Sequence, residues 1–151
     1  MTSVSEKIPP RRIRYQAAII QNDRMLLLKI EDGARFWIIP GGGLEPPESE
    51  TECVAREVLE ETHLTIEVER LLLDKSVPPN DYHYVRQKTY LCTIVSGEAK
   101  PGIEPEMGDV ASPIKGIGWF DLRHPDTWDF GNHEPSNAQA LLHRIRSTLD
   151  Y

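Results

Sequence analysis

A glycine-rich turn that runs into a helix of clustered acids constrains this chain more than any other feature. The turn is Pro40-Gly41-Gly42-Gly43, and the helix contains Arg56-Glu57-Val58-Leu59-Glu60-Glu61. Successive helical residues turn by about 100°, so Glu60 and Glu61 lie roughly 60° and 40° from Glu57. The three carboxylates therefore share one face of the helix. The opposite, apolar face is expected to consist of Val54, Ala55, Val58 and Leu59.

The three acids predict a positively charged partner. Like charges three and four residues apart repel, so the helix loses stability unless a cation or a guanidinium lies among them. Oxygen ligands without histidine or thiolate favour Mg²⁺, with Mn²⁺ as a substitute, and Mg²⁺ usually also contacts substrate phosphates. Successive glycines let the backbone approach such a ligand, so Gly41, Gly42 and Gly43 are candidate binding residues. The alternative is an ordinary solvated face of glutamates.

The turn and the helix together resemble the Nudix box, with the pattern G-x5-E-x7-R-E-U-x-E-E-x-G-U, in which U is a bulky aliphatic residue. The departure is His63, which stands where the family has glycine. Glycine there usually takes a left-handed conformation, and histidine is one of the less unfavourable replacements. We expect a small local cost, with the acids left in place. The matching residues are Gly42, Glu48, Arg56, Glu57, Val58, Glu60, Glu61 and Leu64.

The resemblance implies a metal-dependent pyrophosphohydrolase that cleaves a diphosphate linkage in a nucleoside diphosphate joined to another group. It implies that Glu57 and Glu61 are the main metal ligands, that Glu60 is a further or water-mediated ligand, and that the Gly41 carbonyl is a backbone ligand. The metal would neutralise the diphosphate and lower the pKa of a bound water, which then attacks phosphorus.

The resemblance gives Arg56 the role of orienting glutamates. By spacing it can reach Glu48, Glu52 or Glu60, and Glu48 joins it among the candidate catalytic residues. The general base stays open, because the box acids compete with Glu104 and Glu106 in a long loop predicted from Ser96 to Gly116.

The substrate also stays open. In the family, a proline beyond the box is associated with ADP-ribose hydrolysis and a tyrosine slightly further on with dinucleoside polyphosphates, and Pro79 and Tyr82 satisfy both. Nucleotide sugars and nucleoside triphosphates are further candidates. Aromatic residues could stack a base or belong to the core. They are Tyr82, Tyr84, Trp128 and Phe130.

Composition limits the remaining possibilities. The chain has 151 residues and a net charge of −7, which argues against a nucleic-acid backbone as partner. Cys53 and Cys92 show no paired spacing and are expected to be reduced and buried. The chain contains no run long enough to span a membrane, so we expect a cytoplasmic monomer or homodimer. The rival interpretation is a catalytically silent Nudix-fold domain that binds nucleotides as a sensor.

The pattern of apolar runs predicts one α/β domain over residues 1–151, with a loose tail at 1–10. Strands in several short runs, with one helix in the middle and one at the end, favour a mixed β-sheet covered on both faces. The Nudix resemblance implies the same α/β/α sandwich. Asn22-Asp23 predicts a hairpin turn, Gly118-Trp119-Phe120 a short strand, and Tyr82 to Val85 part of a strand. Capping boxes are expected at Ser49/Glu52 and Ser136/Gln139.

Overall fold

The structure is a computed structural model that describes residues 12–77, 84–102 and 112–151. Several features discussed above lie outside these residues, so their predictions stay predictions. They are the tail at 1–10, Pro79, Tyr82, and the loop acids Glu104 and Glu106.

The described residues form strands, two α-helices and one short 3₁₀ helix, Pro125–Thr127. The first α-helix follows the glycine turn and the second lies near the end of the chain. The strands are β1 (Ile13–Gln21), β2 (Arg24–Glu31), β3 (Arg35–Ile38), β4 (Gly41–Gly42), β5 (Thr65–Ser76), β6 (Arg86–Ser96) and β7 (Ile114–Asp121), and the helices are α1 (Glu50–Thr62) and α2 (Ser136–Thr148). No helix in the described part of the chain is both long and apolar enough to cross a membrane.

The described strands form one seven-stranded sheet in the order β3-β2-β1-β6-β5, with β4 paired to β1 and β7 paired to β2. β1 and β6 run parallel, and the other pairs are antiparallel. The predicted mixed sheet is therefore confirmed. Its parallel pair joins segments more than sixty positions apart in the sequence, beginning with Ile13 opposite Arg86.

The hairpin between β1 and β2 forms where the sequence predicts it. Asn22 and Asp23 both have left-handed backbones, with φ of 53° and 64°. These residue types tolerate that conformation better than most, and two such residues in succession give a tight turn whose twist matches the flanking strands. Strand pairing then begins at Gln21 and Arg24.

Two apolar cores lie on opposite faces of the sheet. Along β1 the side chains alternate, so Ala17 and Ile19 pack toward Val58 of α1, whereas Ala18 packs toward Leu142 of α2. This arrangement confirms the predicted α/β/α sandwich. It also places α1, with its acids, on one face and α2 on the other.

The structure corrects several local predictions. β7 begins at Ile114, so the Gly118–Phe120 strand is longer than predicted and the loop ends before Gly116. Tyr84 and Val85 are predicted to belong to a strand, but β6 starts only at Arg86. Leu59 is 52% exposed, so it does not belong to the apolar face of α1.

The second predicted capping box is also wrong. The N-cap of α2 is Pro135, whose backbone is already helical, with φ of −98° and ψ of −9°. The amide of Gln139 donates to the Pro135 carbonyl (2.6 Å). Ser136 therefore occupies the first helical position and not the cap.

Candidate active site

Both ends of the acidic helix are fixed by local chemistry. At its start, Ser49 accepts from the Glu52 amide and the Glu52 side chain accepts from the Ser49 amide, which confirms the predicted capping box. At its end, His63 has the left-handed conformation expected of the family's glycine, with φ of 65°, and its amide donates to the Leu59 carbonyl (3.1 Å). The replacement of glycine therefore leaves the helix exit intact.

The glycine turn packs closely between β1 and α1. Gly41 and Gly42 pair with Gln16 and Tyr15 of β1, and a Cβ at Gly41 would collide with the Tyr15 carbonyl. A Cβ at Gly42 would lie 2.5 Å from the Glu57 carboxyl carbon. Only glycine fits at these two positions, so the turn approaches the acids more closely than any other residue would allow.

Two of the three helix acids are buried and not solvated. Glu57 is 5% exposed and Glu61 is 4% exposed, while Glu60 is partly exposed. The amide of Gly41 donates to Glu61 Oε1 (2.9 Å). Burial raises the pKa of Glu57 to about 7, and the nearby positive charge of Arg56 opposes that shift. Carboxylates are seldom buried unless they are paired, so this burial argues against an ordinary solvated face.

Arg56 is the guanidinium that lies among these acids. Its Nη1 donates to Glu57 Oε1 (2.9 Å) and to Glu60 Oε2 (3.3 Å). Its Nη2 donates to Glu48 Oε1 (2.7 Å) and to the Gly43 carbonyl (3.2 Å). The hydrogen bond from Arg56 holds the pKa of Glu48 below its usual range.

The contacts of Arg56 distinguish among the partners that its spacing allows. It contacts Glu48 and Glu60, whereas the Glu52 carboxylate accepts from the Ser49 amide at the helix cap. The N–H groups of the Arg56 guanidinium thus bind other groups of the protein. Arg56 therefore holds glutamates in place, as the resemblance implies, and links the glycine turn to the helix.

The chemistry of this cluster fits a divalent cation. Its donors are carboxylate oxygens and backbone groups, the ligands that Mg²⁺ prefers, and the turn at Gly42 leaves no side chain between the backbone and Glu57. Within the described residues, however, no three His, Cys, Asp or Glu side chains already form a metal-binding group. In this structure Arg56 lies between Glu57 and Glu60, and Glu61 accepts from the Gly41 amide.

The loop after β6 packs against the end of α1. The amide of Lys100 donates to the Thr62 carbonyl (2.9 Å), and that of Gly102 donates to the Glu61 carbonyl (2.8 Å). The Ser112 hydroxyl donates to the Gly102 carbonyl (3.1 Å), which joins the two described ends of this loop. The described part of the loop thus contacts the helix at one of its acids.

The aromatic candidates separate into core and site. Trp128 and Phe130 pack against the α2 core, which is the apolar core that contains Ala18 of β1 and Leu142 of α2. Trp128 Nε1 donates to the Asp121 carbonyl (2.7 Å). Tyr84 lies near the acids instead. Burial raises the pKa of its hydroxyl, the charge of Arg14 opposes that rise, the charge of Glu57 adds to it, and a hydrogen bond with Arg14 also opposes it.

Sequence reasoning missed Arg14 and the buried Gln16. Arg14 Nη2 donates to the Ile39 carbonyl (2.7 Å), directly before the glycine turn, and its Nε donates to Gln16 Oε1 (3.1 Å). Gln16 Nε2 donates to the Thr89 hydroxyl (2.8 Å). The alternation of β1 was a usable signal, because it places both polar side chains on one face of a strand next to the turn.

This combination of fold and acidic site has counterparts among known proteins. The sequence matches the NUDIX domain over residues 11–141, and the chain belongs to that family. An ADP-ribose pyrophosphatase from Streptococcus suis is 26% identical, with a TM-score of 0.63 and 92% of each chain covered. The class that the fold and family define is the Nudix-type pyrophosphohydrolases.

More distant structures share the fold. A MutT NUDIX hydrolase from Burkholderia pseudomallei is 24% identical, with a TM-score of 0.62, covering 89% of this chain and 97% of that one. A NUDIX family hydrolase from Clostridium perfringens is 18% identical, with a TM-score of 0.68, covering 93% of this chain and 97% of that one. The likeness therefore extends over nearly the whole chain and is not restricted to the acidic helix.

Proposed function

We propose that this pyrophosphohydrolase uses Mg²⁺, or Mn²⁺ in its place, to hydrolyse the diphosphate linkage of a nucleoside diphosphate joined to a sugar. ADP-ribose and nucleotide sugars form the substrate class. The observation that carries the proposal is the packing of Glu57 and Glu61 against a glycine turn, with Arg56 bound between Glu57 and Glu60. The Streptococcus suis relative, named as an ADP-ribose pyrophosphatase, supports the choice of the sugar-linked class.

In this proposal each residue has a separate task. Glu57, Glu60, Glu61 and the Gly41 carbonyl hold the cation, which supplies charge neutralisation and an acidified water when it is bound. Arg56 holds Glu57 and Glu60 near each other in spite of their like charge, and Glu48 holds the other side of its guanidinium. A carboxylate takes the proton of the attacking water. The water oxygen bonds to phosphorus while the bond to the bridging oxygen breaks, so two phosphomonoesters leave.

A panel of nucleotides with product analysis tests this proposal. ADP-ribose, a nucleotide sugar, a nucleoside triphosphate and a dinucleoside polyphosphate are each incubated with Mg²⁺, and ³¹P NMR identifies the products. We expect the fastest turnover with a sugar-linked diphosphate, giving a nucleoside monophosphate and a sugar phosphate. Faster turnover of the triphosphate or of the dinucleoside polyphosphate would contradict the substrate class.

Removal of metal is the second test. Exhaustive chelation is expected to abolish turnover of the best substrate, and added Mg²⁺ or Mn²⁺ is expected to restore it, because Arg56 is already engaged by the acids. Ca²⁺ at the same concentration is the control. It supplies the same charge and ionic strength, but it is larger than Mg²⁺ and does not require octahedral coordination. Turnover that persists in chelator would show that the metal assignment is wrong.

A further inference from the structure

A row of polar side chains crosses three strands on the face of the sheet opposite α1. Cross-strand partners share a face, and Arg14 of β1 lies opposite Gln87 of β6, which lies opposite Lys75 of β5. The neighbouring row contains Leu73, which packs against the α2 core, whereas no member of the first row belongs to that core. Two cationic side chains, Arg14 and Lys75, and the amide of Gln87 therefore lie on this face of the sheet but outside the α2 core.

Arg14 has neutral hydrogen-bond partners, a feature that it shares with Arg146 of α2, which donates to the Leu122 carbonyl. Arg14 is partly buried, and it donates to the neutral oxygens of Ile39 and Gln16. By contrast, Arg56 and Arg86 are paired with carboxylates. Among the described residues no carboxylate forms an ion pair with Arg14. A partly desolvated guanidinium that is not directly paired with a carboxylate, in a chain of net charge −7, is suited to an anion-binding position.

The position of Arg14 brings its charge to the acidic site. Ile39, whose carbonyl it contacts, is separated from Gly41 only by Pro40. Gly41 and Gly42 in turn touch Glu61 and Glu57. The charge of Arg14 opposes the rise in the pKa of Glu57, although burial, Arg56 and Glu60 affect that pKa more. One ligand could therefore contact both the acids and this guanidinium.

We propose that Arg14, assisted by the hydroxyl of Tyr84, binds a phosphate of the substrate diphosphate and is the principal protein cation that recognises it. The inference rests on the proposed function and adds a residue outside the Nudix box. Arginine offers five N–H donors in a planar fork that matches a phosphate, and the contacts with Gln16 and Ile39 engage Nε and Nη2. Arg56 cannot serve as readily, because carboxylates already hold it.

The test compares Arg14→Gln and Arg14→Lys with the matched control Arg86→Gln. Arg86 also lies on this sheet, but it is paired with Asp74 and follows the opposite alternation to Gln87. For the best substrate, Arg14→Gln is expected to raise KM by about tenfold or more, with kcat within about threefold of wild type. Arg14→Lys should recover part of the loss because it keeps the charge without the fork. Arg86→Gln should leave KM unchanged.

A binding measurement makes the result independent of turnover. Calorimetry with α,β-methylene ADP, a diphosphate that cannot be cleaved at the bridge, is run in metal-free buffer. Arg14→Gln is expected to weaken binding by about tenfold, with Tm close to that of wild type. The opposing explanation is that Arg14 only holds the Ile39 carbonyl. In that case Arg14→Gln lowers Tm and kcat while KM and Kd stay unchanged, which would overturn the inference.

The outcomes also separate this inference from the proposed function. If wild type hydrolyses a sugar-linked diphosphate and both KM and Kd are unaffected by Arg14→Gln, the inference fails alone. The other outcome is that wild type hydrolyses none of the sugar-linked diphosphates but Arg14→Gln still weakens the binding of α,β-methylene ADP. The proposed substrate class then fails, and phosphate binding by Arg14 stands.

Discussion

Glu57 occupies an unfavourable electrostatic position in the site. It is 5% exposed, it lies against a glycine that leaves no room for a side chain, and Arg56 supplies its closest positive charge (2.9 Å). Burial of a carboxylate under such conditions costs stability. Catalytic sites are where such perturbed groups are concentrated, which supports the proposed role of Glu57.

Removal of either buried charge should stop catalysis. Glu57→Gln and Glu61→Gln keep the volume of the side chain and are expected to lower kcat by about a hundredfold or more, equivalent to roughly 2.7 kcal/mol of transition-state stabilisation. Steady-state kinetics on the best substrate is the measurement. Glu67→Gln, an exposed acid on β5, is the control and should retain wild-type kcat. If kcat were unchanged in both variants, the role of these two acids would be structural and not catalytic.

The same substitution has a pH-dependent effect on stability. The folded pKa of Glu57 is raised to about 7 from an ordinary 4.5, so its contribution is fully present below the unfolded pKa and is lost as pH rises through the folded pKa. Gln cannot ionise and avoids that loss. In metal-free buffer, urea unfolding should therefore show Glu57→Gln gaining stability over wild type between about pH 5 and about pH 8. A constant difference would contradict the raised pKa.

At the scale of elements, local sequence determines α1 more completely than α2. Ser49, Glu52 and the left-handed His63 all act as their positions predict. The pattern at Ser136 and Gln139 is equally good as a sequence, but the helical backbone of Pro135 starts α2 one residue earlier. Likewise β7 includes Gly116, a residue that weakens a strand signal, because it pairs with Lys29 of β2. Tertiary pairing decides such cases.

The helix exit at His63 offers a stabilising substitution. A residue with a Cβ at φ of 65° pays about 1 kcal/mol relative to glycine, so His63→Gly should raise the free energy of unfolding by about 0.5 to 1 kcal/mol. Urea unfolding measures it. His63→Ala keeps the Cβ and is the control, expected to give no gain. Equal gains in the two variants would show that the imidazole, and not the backbone, is the source of the cost.

The loop after β6 remains the candidate source of the general base. Its described part donates from Gly102 to the Glu61 carbonyl, and Glu104 follows two residues later in the sequence. We expect Glu104→Gln or Glu106→Gln to lower kcat severely while metal affinity, measured by calorimetry, stays near wild type, because neither residue belongs to the helix cluster. If both single variants and the double variant keep near wild-type kcat, a box glutamate must be the base.

At the scale of the whole molecule, the sheet separates the acids of α1 from the core that packs against α2. The box residues could be predicted because their spacing is local, and the helix wheel placed all three acids together. Arg14 could not be predicted in the same way. Its nearness to the acids depends on the pairing of β1 with β4, which places Tyr15 opposite Gly42. Strand order and the parallel β1–β6 pair are likewise long-range properties.

This separation predicts that stability and catalysis can be changed independently. Leu142 of α2 is completely buried in the core on the face away from α1. Leu142→Ala should lower the free energy of unfolding by about 2 to 5 kcal/mol through lost burial and the cavity left behind. The acids pack with α1, so kcat of the folded enzyme should stay within about twofold of wild type.

Urea unfolding and steady-state kinetics at a temperature well below the Tm of the variant test this independence. Arg144→Ala changes an exposed position on the same helix and should shift the free energy of unfolding by no more than about 0.5 kcal/mol. A large fall in kcat for folded Leu142→Ala would mean that the α2 core transmits its packing through Ile39, which belongs to that core, to the glycine turn. The two faces would then act as one unit, and mutations in α2 would have to be counted among those that affect the site.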